Sequence, residues 1–288
     1  MHTNHQKKLS RRSFFASSLR AALFGTCALN ASARTKTPWS NWSGGLRCSP
    51  KGRYDIAAED QLIDLLRGTS GPIRPVGSGH SFSPLVPTDG HLIVIDQLSG
   101  VFDHDSQSMQ ATVGAGTRLG DLGAPLFEVG QGMLNLPDID RQTVAGATAT
   151  GTHGTGMNFK SLSGYITGLR IITASGEVKD IDASHGDLFD AARVNLGALG
   201  IVTQIRMQNR KSFKLKKKEW TAPTEELLRN FDMLAESHRQ FEIFPLVYSD
   251  YSLALAIDET EQPIGQTIAP AQEVELADLR PLGVDAQP

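Results

Sequence analysis

RPVGSGHSFSPLVPTDG, residues 74–90, is the stretch on which the reading of this 288-residue chain turns. Gly77 and Gly79 bracket Ser78, His80 follows, and Ser81 and Ser83 add two small hydroxyl residues. Pro75, Pro84 and Pro87 deny the segment a helical hydrogen-bond ladder. Glycines allow positive φ and let a ligand approach the main chain closely. Consecutive exposed N–H groups in such a turn make a concavity suited to phosphate oxygens. In isolation a GSGH segment is more often a surface turn between strands, with a solvated or core histidine. The rest of the chain shifts that balance.

A second stretch, RQTVAGATATGTHGTG at residues 141–156, is equally poor in side-chain bulk. A small-residue helix packed on a sheet accounts for Val144–Ala149 and leaves the following THGTG unexplained. Hydroxyls and N–H groups without bulky neighbours suit a pyrophosphate or a flat ring. Neither stretch is the dinucleotide fingerprint. The first lacks the last glycine, and no strong helix with a suitably spaced acidic residue follows either one. A Gly-Lys-Ser/Thr phosphate loop is absent. His80 and His153 have no G-x-S-x-G nucleophile elbow beside them. The His, Cys and carboxylate residues show no metal-ligand spacing, so no metal is expected.

Outward from these loops, hydrophobic spacing predicts a helix over Ala57–Arg67, with Leu62, Ile63, Leu65 and Leu66 clustered. Strands are predicted at Ile73–Val76, Leu92–Ile95, Met109–Val113, Tyr165–Ala174, Val178–Ile181 and Ile201–Gln208. A helix capped by Thr117 should carry Leu119, Leu122 and Leu126 on one face. Gly130–Asp140 reads as loop and Asp187–Val194 as a short helix. KSFKLKKK at residues 211–218 marks a change of character and a domain boundary; the charge run itself reads as a solvated strand or linker. Beyond it come one amphipathic helix, Glu225–His238, and paired strands at Phe241–Val247 and Tyr251–Ile257.

Residues 1–33 read as a leader. Lys7, Lys8, Arg11 and Arg12 precede a weakly apolar stretch, and Ala31-Ser32-Ala33 is a cleavage signal. SRRSFF at residues 10–15 fits the twin-arginine export signal, which implies the twin-arginine export machinery as a partner and an extracytoplasmic, periplasmic location. Arg20 and the short apolar run argue against a membrane anchor. Without its five leader cations the formal charge moves from −3 to −8, which argues against nucleic acid as a ligand. Of the two cysteines Cys27 lies in the leader, so Cys48 is left without an intrachain partner.

PVGSGHSFSPLVPTDG, VGAGTRLGDL, TVAGATATGTHGTG and AARVNLGALGIVTQIR, in this order and spacing, resemble the FAD-binding domain of the vanillyl-alcohol-oxidase-type flavoenzymes. Within that group they most resemble the sugar-1,4-lactone oxidases (L-gulonolactone and D-arabinono-1,4-lactone oxidases) and the alditol oxidases. The resemblance implies an α+β fold. A PCMH-type FAD-binding domain of two α+β subdomains would occupy residues 38–210, and a partial α+β substrate cap residues 219–288.

The implied cofactor is FAD, joined covalently through His80. Pro75, Val76, Gly77, Ser78, Gly79, His80 and Ser81 would wrap its pyrophosphate and ring. Thr143, Gly146, Thr150, Gly151, Thr152 and His153 match the second FAD segment, and Asn135 and Ile201 match further contacts. The implied reaction oxidises a CH–OH group of a small sugar lactone or polyol. Electrons pass to molecular oxygen, giving hydrogen peroxide, or to an electron carrier. The family's cap is longer than the material after residue 219, so no catalytic residue is carried over. The alternative expectation is an exported FAD-binding protein without turnover.

Overall fold

The computed structural model describes residues 38–265; the expected export leader at residues 1–33 lies outside them. The first subdomain opens with a small antiparallel hairpin, β1 (Trp39–Ser40) and β2 (Arg47–Cys48). β3 (Gly52–Asp55), α1 (Glu59–Gly68), β4 (Ile73–Val76) and β5 (His91–Val94) follow, and the strands pair in parallel in the order β3-β5-β4. α1 connects the two outer strands β3 and β4, and the parallel neighbours β4 and β5 are joined through residues 77–90. Leu62 and Leu66, one turn apart, bury its inner face, while Glu59 and Asp60 suit the positive N-terminal end. β5 is the central strand, so Leu92, Ile93 and Val94 are all buried and read as a continuous apolar run.

The second subdomain comprises β6 (Val101–Asp105), β7 (Gln110–Gly114), α2 (Gly123–Glu128), β8 (Gln131–Met133), α3 (Val144–Ala149), β9 (Ile166–Ile172), β10 (Val178–Asp182), α4 (Asp187–Arg193) and β11 (Ile201–Lys211). Its sheet is antiparallel in the order β10-β9-β11-β7-β6, with β8 paired to the far end of β11. From Thr203 onward β11 alternates: Thr203, Ile205, Met207 and Asn209 are buried, and the residues between them face outward. The two subdomains share one core, in which Ile56, Leu62 and Ile93 meet Val113, Leu122, Val144, Ile171 and Ile205.

The third unit is β12 (Leu215–Pro223), α5 (Thr224–Arg229), α6 (Phe231–Ser237), β13 (Gln240–Pro245) and β14 (Tyr251–Glu259), with strand order β12-β14-β13. Leu227 packs with Phe241, Ala254 and Ala256 in a separate small core. The fold is α+β throughout.

Three expectations are corrected. Thr117 does not cap a helix: its hydroxyl donates to the Gly114 carbonyl at 2.6 Å, and Arg118 after it is extended. A 3-10 turn over Leu119–Leu122 leads into α2, and Pro125 sits in the first turn of α2, where its missing N–H costs nothing. Gly130–Asp140 is not wholly loop, because β8 lies inside it; three residues are too few to show a period. The helix expected over Glu225–His238 breaks into α5 and α6 at Asn230, whose side chain donates to the Glu226 carbonyl and competes with the helical ladder. β1, β2, β3 and β6 were not predicted: β1 and β2 are two residues each, and β3 and β6 carry arginine, aspartate and histidine without an apolar alternation.

Candidate functional site

β4 runs directly into the Gly77–Ser81 loop, and α3 and the Asn195–Gly200 loop face it across a cleft of roughly 850 Å3, its open mouth included. One wall is Arg74 through Ser81, with Leu85 and Val86. The second is Gln142, Thr143, Ala145, Gly146, Ala149 and Thr150 from the start and exposed side of α3. The third is Asn195, Leu196, Gly197, Gly200 and Val202, with Ile95 beneath.

Local chemistry explains each wall. Thr143 caps α3, its hydroxyl accepting from the Gly146 N–H at 3.2 Å. The Val144 and Ala145 N–H groups are already bonded to the carbonyls of Thr117 and Ala115. What α3 presents to the cleft is therefore a smooth surface of Ala145, Gly146 and Ala149. In the third wall Asn195 holds the turn, donating to the Ala192 carbonyl at 2.8 Å and accepting from Gly197 N at 2.6 Å. Leu196 adopts φ +52°, a left-handed conformation rare for a branched side chain.

The first wall is left differently. Among the described residues, no hydrogen bond from the backbone N–H of Ser78, Gly79 or His80 to another protein group is found. The Ser78 hydroxyl is buried and also lacks a protein partner. A buried polar group is normally satisfied, so the unpartnered Ser78 hydroxyl in the wall of the cleft is a candidate contact for a bound ligand. Arg74 adds a positive charge, and Leu85, Val86 and Val202 add apolar surface for a flat ring. The half-buried His80 stands at the end of the wall, its ring stacked on Trp42 with centroids 5.4 Å apart and planes 21° apart.

Of the residues singled out from sequence, Pro75, Val76, Gly77, Ser78, Gly79, His80, Ser81, Thr143, Gly146 and Thr150 meet in this cleft. Gly151, Thr152, His153, Asn135 and Ile201 are not among the residues that line it. Thr152 closes the end of α3, its N–H on the Ala147 carbonyl and its hydroxyl accepting from Gln142. Gly151 takes φ +69° at the same turn. His153 is exposed, and Asn135 is buried against Gln240 of β13. Ile201 turns into the shared core between the cleft residues Gly200 and Val202. Sequence reasoning missed Gln142, Asn195, Leu196 and Gly197; the LGALG run was visible, but not the face it would present. Among the described residues no group of three or more metal-ligating side chains occurs, and no helix is long and apolar enough to cross a membrane.

Comparison with known proteins gives a consistent picture. Residues 55–182 match the FAD binding domain family. The chain is 38% identical to the L-gulono-1,4-lactone dehydrogenase of Mycobacterium tuberculosis over 231 residues, which is 78% of this chain and 53% of that protein. It is 28% identical to the L-gulonolactone oxidase of Bos taurus, covering 78% of this chain and 52% of that one. With the D-arabinono-1,4-lactone oxidase of Kluyveromyces lactis identity is 29%, covering 81% and 46% respectively. The chain thus spans about half the length of the curated relatives it matches. Among solved structures, cholesterol oxidase of Brevibacterium sterolicum superposes with a TM-score of 0.71 at 18% identity, covering 81% of this chain and 49% of that one. An alkyldihydroxyacetonephosphate synthase gives 0.65 at 14%, covering 75% and 48%.

Proposed function

From a chain that carries a FAD-binding domain of the PCMH-type fold, we propose a flavin-dependent oxidoreductase acting on a CH–OH group of a sugar-1,4-lactone or alditol. The observation that carries the cofactor assignment is the first wall of the cleft, where the Ser78 hydroxyl is buried without a protein partner. The residues present fit the group. Ser78 and the Gly77–His80 main chain supply donors for a pyrophosphate, Arg74 supplies charge, and Gly77 lets its wall close onto Thr143. Lactone specificity rests on the names of the relatives, which share 28–38% identity with this chain.

Bound FAD supplies a hydride acceptor for the carbinol carbon of the substrate. The chain's own residues hold and exclude. Leu85, Val86 and Val202 keep water from a ring, and Asn195 fixes the wall opposite. We assign His80 as the covalent attachment residue. Attachment there would replace one imidazole N–H and one C–H of the flavin ring methyl by a C–N bond. Dioxygen would take up the two electrons and two protons released, giving peroxide. A histidine so joined has one ring nitrogen consumed and is no general base. Oxygen as the turnover acceptor and twin-arginine export to the periplasm belong to the same proposal.

The test is direct. Purified chain should be yellow and keep its flavin through acid precipitation, and His80→Ala should hold FAD only non-covalently. A panel of aldonolactones and alditols, followed by peroxide release and by dye reduction, separates oxidase from dehydrogenase. Retained flavin with silence across the panel would favour a binding module. Colourless protein that takes up no FAD would end the assignment.

A further inference from the structure

The Trp39–Cys48 hairpin grips the chain on both sides of His80. The Trp42 N–H donates to the carbonyl of Gly79 at 2.9 Å, one residue before it. The Asn41 side-chain amide donates to the carbonyl of Ser81 at 3.1 Å, one residue after it. Asn41 is itself buried, and its Oδ1 accepts from Leu46 N at 2.9 Å, so the grip is tied to the closing strand of the hairpin. Beneath the loop Trp39 is buried against Gly79, where a β-carbon would lie 3.1 Å from its ring. Gly79 has φ +67°, a conformation that glycine adopts without strain.

Trp42 does something a surface aromatic need not do. It is 66% exposed, yet its ring covers one face of the His80 imidazole, and Phe82 stands edge-on to it at 86° with centroids 6.1 Å apart. Rotation of an imidazole about its last side-chain bond is soft, so an unsupported ring samples a broad range of planes. A stacked partner narrows that range, and such a pair contributes about 0.5–1.5 kcal/mol. His80 also lines the cleft.

We propose that the Trp39–Cys48 hairpin is the positioning element for His80, and that Trp42 sets the plane in which its imidazole meets the flavin. This rests on the reading of His80 as the attachment residue. Attachment needs one ring nitrogen aligned with one methyl carbon, so that a C–N bond replaces an N–H and a C–H while dioxygen takes the two electrons and two protons. A misplacement of about 1 Å can slow such a step by about 100-fold. Trp42 therefore acts on attachment and not on cofactor affinity.

The test compares the full chain with Trp42→Ala, Trp42→Leu and Trp42→Phe, each purified with its flavin. Total flavin is read by absorbance and covalent flavin by fluorescence of the acid-precipitated protein. Trp42→Ala and Trp42→Leu should keep total flavin while the covalent share falls about tenfold. Trp42→Phe, which keeps a flat face, should restore most of it. A covalent share unchanged in Trp42→Ala overturns the proposal. Parallel loss of total and covalent flavin overturns it too, because the hairpin would then serve only folding. Absence of acid-stable flavin in the unmodified chain removes the His80 assignment itself, and this proposal with it, and is distinguished from the other outcomes by that control.

Discussion

A β-carbon placed on Gly77 would fall 2.0 Å from the Thr143 hydroxyl oxygen and 3.0 Å from its Cβ. The two small-residue stretches, 66 positions apart from Gly77 to Thr143, are thus in atomic contact at the neck of the cleft. Thr143 has no room to give, because it is buried and its oxygen caps α3. Gly77→Ala should therefore push the walls apart. The expected cost is about 1–3 kcal/mol from overpacking. Urea midpoints of the apo chain measure the stability loss, and flavin content after purification should fall with it. An unchanged midpoint would contradict the contact.

Ser78→Ala should separate apo from holo behaviour. The Ser78 hydroxyl is buried and has no protein partner, so removing it relieves the apo chain of an unsatisfied group. Apo stability should hold or rise slightly. Affinity for FAD should drop by about 1–1.5 kcal/mol, close to tenfold in dissociation constant, if a cofactor oxygen is the missing partner. Thermal shift without FAD and titration with FAD give the two readings, and equal effects on both would refute the role.

Gln240→Ala tests how the third unit is attached. Gln240 donates to the buried Asn135 Oδ1 at 2.7 Å, and Asn135 passes a hydrogen bond on to the Thr155 carbonyl at 3.0 Å. The Thr155 hydroxyl donates to Glu242 at 2.7 Å, closing the link back to β13. Truncation removes one of two donors to Asn135 Oδ1, the Leu136 N–H at 3.1 Å remaining, at a cost of about 0.5–1.5 kcal/mol. Adding Asn135→Ala should cost less than the sum of the two single changes, because they share one bond. Additive losses in denaturation would show that the two residues are independent.

Glu259 gives the chain a defined acid sensitivity. A hydrogen bond from Arg210, opposed by some burial and joined by the charges of Arg210 and Arg239, holds its carboxyl below the ordinary value of 4.5. A group with a lowered folded pKa contributes stability that is present above its unfolded value and is lost as pH falls through the folded value. Stability should thus fall more steeply below pH 4.5 in the unmodified chain than in Glu259→Gln. The side chain is 42% exposed, so the difference should be about 1 kcal/mol at most and should shrink in high salt. Denaturation across a pH series at two ionic strengths reads it, and parallel curves for the two proteins would be the contrary result.

Arg239 shows why the join between units escaped the sequence. It donates to the Leu134 carbonyl at 2.6 Å, pairs with Glu259 at 2.8 Å and lies over the rings of Phe159 and Phe213 at 4.4 and 4.8 Å. Those partners are scattered over more than a hundred positions and share no local motif. Thr152 and His153 were legible as part of a small-residue cluster and are placed by near neighbours, whereas Asn135, matched only through the family resemblance, is placed by a distant contact. Asn135 turns to Gln240 because a buried amide must find partners, and β13 offers one.

Local chemistry written in the chain determined the loops and most elements: glycine and proline density stopped helices at residues 74–90, and apolar spacing marked α1, β5, β9 and β11. The cap of α3, Thr143 accepting from Gly146 N, is likewise a contact between near neighbours. Only tertiary structure decided which donors stay free for a ligand. The N–H groups at the start of α3 are taken by Ala115 and Thr117, whereas the Ser78 hydroxyl is left without a protein partner. Hydrogen-bond satisfaction is settled by groups far apart in sequence, and a cleft is the place where that pairing is incomplete.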